Sequence, residues 1–193
     1  MSLTRPLLLC LLCIAWPASA DSAKALFAGG CFWCMESAYQ EQTGVTEVVS
    51  GFTGGTMANP TYSGNHQGHF EAVQVSYDPT IISYQQLLNV FWHNIDPFDN
   101  NGQFCDKGPS YRSAIFPGTP EEHKLAEQSR DAVAAQFKGR EVFTEIRDAG
   151  TFWPVEESHQ DYYLKNPVRY KYYRWNCGRD QRLNQLWGEH HTP

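Results

Sequence analysis

Long apolar stretches are missing from this sequence. The longest unbroken run, Leu7 to Trp16, spans ten residues, against the roughly 20 that a membrane-spanning helix needs. Positive charge is also scarce: 15 Lys and Arg face 21 Asp and Glu, a formal net charge of -6. A chain of that sign repels phosphate backbones and anionic lipid, so neither nucleic acid nor a stable membrane association is expected. Cysteine is too sparse for the common metal frameworks. The one CxxC, Cys31 to Cys34, has no second ligand pair at short spacing to complete a zinc site, and Met35 in place of a histidine excludes a c-type haem. No metal and no organic cofactor are expected. Repeats and linkers are absent too, and with 41% hydrophobic residues the chain reads as one domain able to bury a core. Aromatics, by contrast, make up 14% of the chain, more than such a core needs, so some are expected at a recognition surface.

The first twenty residues read as a signal peptide: Arg5 supplies a positive start, the Leu7 to Trp16 run follows, and Ala18-Ser19-Ala20 is a small-residue cleavage pattern. The domain is therefore expected at 21–193, exported, most simply to a bacterial periplasm, with Cys31, Cys34, Cys105 and Cys177 left. In an oxidising compartment these cysteines allow two structural disulfides with three connectivities. Chain entropy makes a Cys31–Cys34 bridge worth only roughly 2 kcal/mol and a Cys105–Cys177 bridge roughly 4.5. The CxxC is a poor staple, and redox chemistry explains it better.

Hydrophobic patterning predicts strands at Ala25 to Ala28, Val45 to Phe52, His69 to Tyr77, Tyr111 to Phe116 and Val142 to Arg147. Helices are expected from Cys31 to Gln40, from a capping box at Ser83 and Gln86 to before Pro97, and from Thr119 to Gly139. Alternation of this kind places the chain in the α/β (α+β) class, with a mixed sheet and helices in a single domain.

Two local features carry chemistry. Gly29-Gly30-Cys31-Phe32-Trp33-Cys34 puts a thiol at a helix N-terminus, where the helix dipole and unpaired backbone N–H groups stabilise a thiolate. Glu71 shares a strand face with Val73, Val75 and Tyr77, an unusual place for a carboxyl unless it is paired, with Arg112 for example, or functional. A desolvated carboxyl stays protonated near neutral pH and can donate its proton. Nucleophilic sulfur beside a protonated acid suits reduction of an oxygen-bearing substrate. A thiol–disulfide oxidoreductase and a disulfide-stapled binding domain remain as alternatives at this point.

Together with these features, SGFTGG at 50–55, NPTY at 59–62, GHFEAVQVSYDP at 68–79, CDKGPSYRSAIF at 105–116, HQDYYLKNP at 159–167 and NCGRDQRLNQLWG at 176–188 resemble the methionine sulfoxide reductase A family. The resemblance implies a ferredoxin-like α/β plait and reduction of methionine S-sulfoxide, protein-bound or free. In that reading Cys31 attacks the sulfoxide sulfur and becomes a sulfenic acid, Glu71 protonates the oxygen, Tyr62 and Tyr111 bind that oxygen, and Asp106 holds the network. Phe32 and Trp33 form the pocket for the substrate methyl group. Cys34 is the favoured recycling thiol, with Cys177 an additional candidate. Thioredoxin or a similar dithiol is the implied reductant, and a monomer is expected. One departure is visible: the nine-residue step from Tyr62 to Glu71 is shorter than the family's usual spacing, which puts the role of Tyr62 in question. Cys105 is expected to be a buried small hydrophobe and His159 to be structural.

Overall fold

The computed structural model describes residues 22–188; the expected signal peptide lies outside the described residues. Strand β1 (Ala23–Gly29) leads into α1 (Phe32–Gln40), then β2 (Val45–Thr53), β3 (Phe70–Tyr77), α2 (Tyr84–His93) and, after a small hairpin of β4 (Gly102–Gln103) and β5 (Asp106–Lys107), β6 (Ser113–Phe116). The sheet order β6-β1-β3-β2, antiparallel throughout, is that of the ferredoxin-like plait. Two short strands extend it: β7 (Glu145–Ile146) pairs parallel with β6 and β8 (Trp153–Pro154) antiparallel with β2. Helix α3 (Pro120–Gln136) precedes β7, and α4 (Tyr162–Lys165), α5 (Pro167–Asn176) and α6 (Arg179–Trp187) close the chain.

Period-two alternation sorts the central strands onto two faces. Ala25 and Phe27 of β1 and Val73, Val75 and Tyr77 of β3 join Phe32, Met35 and Tyr39 of α1 and Leu87, Leu88 and Phe91 of α2 in the main core. Leu26, Ala28, Phe70, Ala72, Ala114 and Phe116 pack on the opposite face. Phe27 stacks between Tyr39 and Phe91, at centroid distances of 5.2 and 5.5 Å. The Ser83–Gln86 capping box forms as expected, and Trp92 ties α2 to α3 by donating to Ser129 Oγ at 3.0 Å.

Two strands are shorter than their patterns suggest. Gly108, at φ 124, and Pro109 open a 3-10 turn over Pro109–Tyr111, so pairing of β6 starts only at Ser113. Proline lacks the N–H that a ladder needs. The Val142 to Arg147 segment contributes only Glu145–Ile146, because its partner β6 offers just Ala114 and Ile115 for pairing there.

Candidate active site

Gly30 sits at φ 81, and a Cβ there would collide with the Gln103 side chain. This tight turn from β1 delivers Cys31 to the N-cap of α1, where its carbonyl accepts from the Cys34 N–H at 3.1 Å. The next free N–H of the helix, from Phe32, donates to Glu71 Oε2 at 3.1 Å. Glu71 thus reaches from β3 to the start of α1 as an acidic cap. Arg112 does not pair with it and instead binds Glu145 at 2.9 Å.

A cavity of about 40 Å³ opens at this junction, lined by Cys31, Phe32, Trp33, Tyr62, Glu71, Asp106, Tyr111 and Tyr173. Seven of the nine residues singled out from the sequence therefore meet at one place. Tyr62 is among them, so the shorter loop still brings its ring to the cavity, 5.9 Å from Phe32 and 3.9 Å from His159 between centroids. Cys34 lies directly beneath, in a cluster with Cys31, Tyr162 and Tyr170. Cys177 lies outside the cavity and is bonded to Cys105, while Cys31 and Cys34 are free. Cys105 is thus an exposed disulfide partner and not the buried hydrophobe expected of it. Asp106 joins these two sulfurs in the one cluster of potential metal-ligating side chains among the described residues, but sulfurs bonded to each other offer no thiolate.

Burial sets the electrostatics. Glu71 is 1% exposed, its Oε1 makes no hydrogen bond, and the Tyr111 hydroxyl stands beside the carboxyl. Loss of hydration, reinforced by the Asp106 charge and only partly offset by the Phe32 N–H, pushes its pKa up to about 8. Burial likewise raises Asp106 and holds the Tyr62 hydroxyl up at about 12, so that Tyr62 remains a donor. The thiols depart from the helix-dipole expectation. Burial pushes Cys31 well up, and a hydrogen bond from Cys31 brings Cys34 down to about 6. The pair holds its negative charge on the inner sulfur, because desolvation at Cys31 outweighs the helix terminus.

Three neighbours had no signal in the hydrophobic pattern. Tyr162 stacks on Trp33 at 3.8 Å between centroids, and His159 lies parallel to the same indole at 5.7 Å, so His159 forms part of the aromatic wall. Tyr173 donates to Asp106 Oδ2. The i, i+3 spacing of Tyr170 and Tyr173 was the available clue to a shared helix face. Glu36 anchors this C-terminal wall by accepting the Asp161 N–H at 3.0 Å.

The chain is similar to known proteins over most of its length. The sequence profile described as peptide methionine sulfoxide reductase matches residues 23–191. Peptide methionine sulfoxide reductase MsrA 2 of Caulobacter vibrioides is 48% identical over 174 residues, covering 89% of this chain and 88% of its own. Among solved structures, methionine sulfoxide reductase A of Corynebacterium diphtheriae aligns with a TM-score of 0.67 at 30% identity, over 78% of each chain. Mxr1 of Saccharomyces cerevisiae in its reduced form reaches 0.69 at 26% identity, over 77% of this chain and 88% of its own. A plait carrying a CxxC at a helix start, a buried acid against that start, and matches over nearly the whole described chain together establish that the chain belongs to the peptide methionine sulfoxide reductase family, with A-type enzymes as its homologues.

Proposed function

We propose that this enzyme reduces the S epimer of methionine sulfoxide, in peptides, in proteins or free, and so repairs oxidised protein. The observation that carries the reading is the buried Glu71, bonded to the first N–H of the helix that presents Cys31, with an unpartnered Oε1 beside the same cavity. Cys31 sulfur gives an electron pair to the sulfoxide sulfur while the Glu71 proton goes to the oxygen, with Tyr62 and Tyr111 binding that oxygen and Asp106 anchoring the hydroxyl network. Methionine leaves and Cys31 carries the oxygen as a sulfenic acid. Phe32 and Trp33 form the methyl pocket. Attack by Cys34 on the sulfenic sulfur expels water and forms a Cys31–Cys34 disulfide, which a dithiol such as thioredoxin reduces; yeast Mxr1 has been solved in complex with Trx2.

The reading extends to an exported monomer in the bacterial periplasm, with residues 1–20 as signal peptide. Support comes from the leader pattern and from the Cys105–Cys177 bridge, a bond that persists in oxidising compartments. Reduced protein, dithiothreitol and methyl sulfoxide substrate test the core claim: sulfide should form with wild type and not with Cys31→Ser, whose hydroxyl is hardly ionised. Activity of Cys31→Ser within tenfold of wild type, or insulin reduction without sulfoxide reduction, would overturn it.

A further inference from the structure

Arg179, the first residue of α6, is only 1% exposed. Its Nη2 donates to Asn94 O at 2.7 Å and Gly29 O at 3.2 Å and lies 3.5 Å from Met35 Sδ. The guanidinium stacks on Phe104 at 4.4 Å, and its Nε has no hydrogen-bond partner. Gly29 stands two residues before Cys31 and Met35 directly follows Cys34, so the cation is fixed behind the turn that carries both thiols.

A buried charge is tolerated only when an opposite charge compensates it. Among the described residues no carboxylate lies within ion-pair distance of Arg179. The other arginine facing Cys34, Arg174, has its own acid, Asp180, at 2.6 Å. Beyond the two carbonyls and the Phe104 face, the negative charges that feel Arg179 are those of Asp106 and of the Cys34 sulfur.

We propose that Arg179 is the counter-ion of the Cys31–Cys34 pair, a positioning residue that keeps one negative charge on the pair, held at rest on the Cys34 sulfur. The groups around the pair fit this assignment. Glu71 of β3 stays protonated through burial, Asp106 of β5 is engaged by Tyr173, and Tyr170 and Tyr173 of α5 present hydroxyls. Arg179 and Arg174 supply the positive field, and both draw the Cys34 proton affinity down. In the attack the Cys31 S–H bond breaks as its proton passes to the Cys34 sulfur, and the electron pair left on Cys31 forms the bond to the sulfoxide sulfur. Arg179 faces one net negative charge on the pair until that bond forms. The adjacent Cys105–Cys177 bridge and Gly178, at φ 67, hold the start of α6 in place.

The proposal rests on Cys31 and Cys34 as the working pair, and alkylation tests it without any sulfoxide. Wild type, Arg179→Met and Arg179→Lys, with the Cys105–Cys177 bridge intact, are treated with iodoacetamide from pH 5 to 9, and carbamidomethyl-Cys31 is followed by mass spectrometry. In Arg179→Met the midpoint should rise by at least about one pH unit, making the reaction roughly tenfold slower at pH 5, below both midpoints, about twofold slower near neutrality and equal to wild type at high pH. Arg179→Lys, which keeps the charge, should follow wild type. Superimposable profiles, or an equal pH-independent loss in both variants, would overturn the assignment. If circular dichroism shows Arg179→Met unfolded, Arg179→Gln, which keeps amide donors for the Gly29 and Asn94 carbonyls, carries the same expected shift and the same refutation. A wild type inert toward methionine sulfoxide would sink the functional reading and leave the alkylation result standing.

Discussion

Replacing Glu71 by Gln should slow chemistry and, at alkaline pH, strengthen the fold. An acid with a folded-state pKa of about 8 is mostly protonated at neutral pH and available as a proton donor. Removing a general acid costs about 100- to 10,000-fold, so the single-turnover rate of Glu71→Gln should fall by at least about 100-fold. Wild-type rates should decline as pH rises through about 8, and the variant should lack that limb. Stability runs the other way. Folding binds the Glu71 proton more tightly than the unfolded chain does, so its contribution is fully present below the ordinary carboxyl value of 4.5 and is lost progressively as pH rises to about 8. The accumulated penalty is on the order of 5 kcal/mol. Glutamine escapes it, keeps an oxygen for the Phe32 N–H, and loses about 1–3 kcal/mol at its unpartnered amide. Urea unfolding at pH 8.5 and pH 4.5 measures this, with the variant more stable at the higher pH and no better at the lower. An unchanged single-turnover rate, or a stability difference that does not vary with pH, would refute the reasoning.

After one equivalent of sulfoxide, non-reducing peptide mapping should find Cys31 joined to Cys34, and Cys34→Ser should give one stoichiometric burst without turnover on thioredoxin; a Cys31–Cys177 bridge with continued turnover would refute this. The S epimer should be consumed and the R epimer left, because only one configuration directs the oxygen to Glu71 with the methyl group against Phe32 and Trp33; equal rates on the separated epimers would contradict it. Replacing Cys105 and Cys177 together by Ser should cost roughly 4.5 kcal/mol, the chain-entropy value for a bridge with a sequence separation of 72, and a urea midpoint unchanged from wild type would count against that value.

The parts of the site built on strands and caps were legible because they follow simple periodicities. Glu71 stood out as an acid in a row of valines, and the N-cap position of Cys31 followed from the two glycines before it. Three pairings of the four cysteines were open in the sequence and Cys105 read as a buried small hydrophobe; the return of α5 toward the β4–β5 hairpin selects the Cys105–Cys177 bridge. Tyr162, Tyr173 and Arg179 were not legible. They lie on short polar helices whose buried face is one or two residues wide, too narrow to produce a hydrophobic repeat. The thiol electrostatics were misjudged for a related reason, since a helix terminus can be seen in sequence and the depth of burial around it cannot.

The inner cysteine is fully buried whereas Cys31 keeps 5% of its surface. In the proposed Cys31–Cys34 disulfide, Cys31 is then the end open to an incoming thiolate. In the proposed cycle a reductant forms its mixed disulfide on Cys31 and expels the Cys34 sulfur, whose charge the two arginines facing it, Arg174 and Arg179, offset as it leaves. The proposed cycle is thereby given a polarity: the same sulfur that meets the sulfoxide meets the electron donor, and the buried one departs inward, where its charge is already provided for.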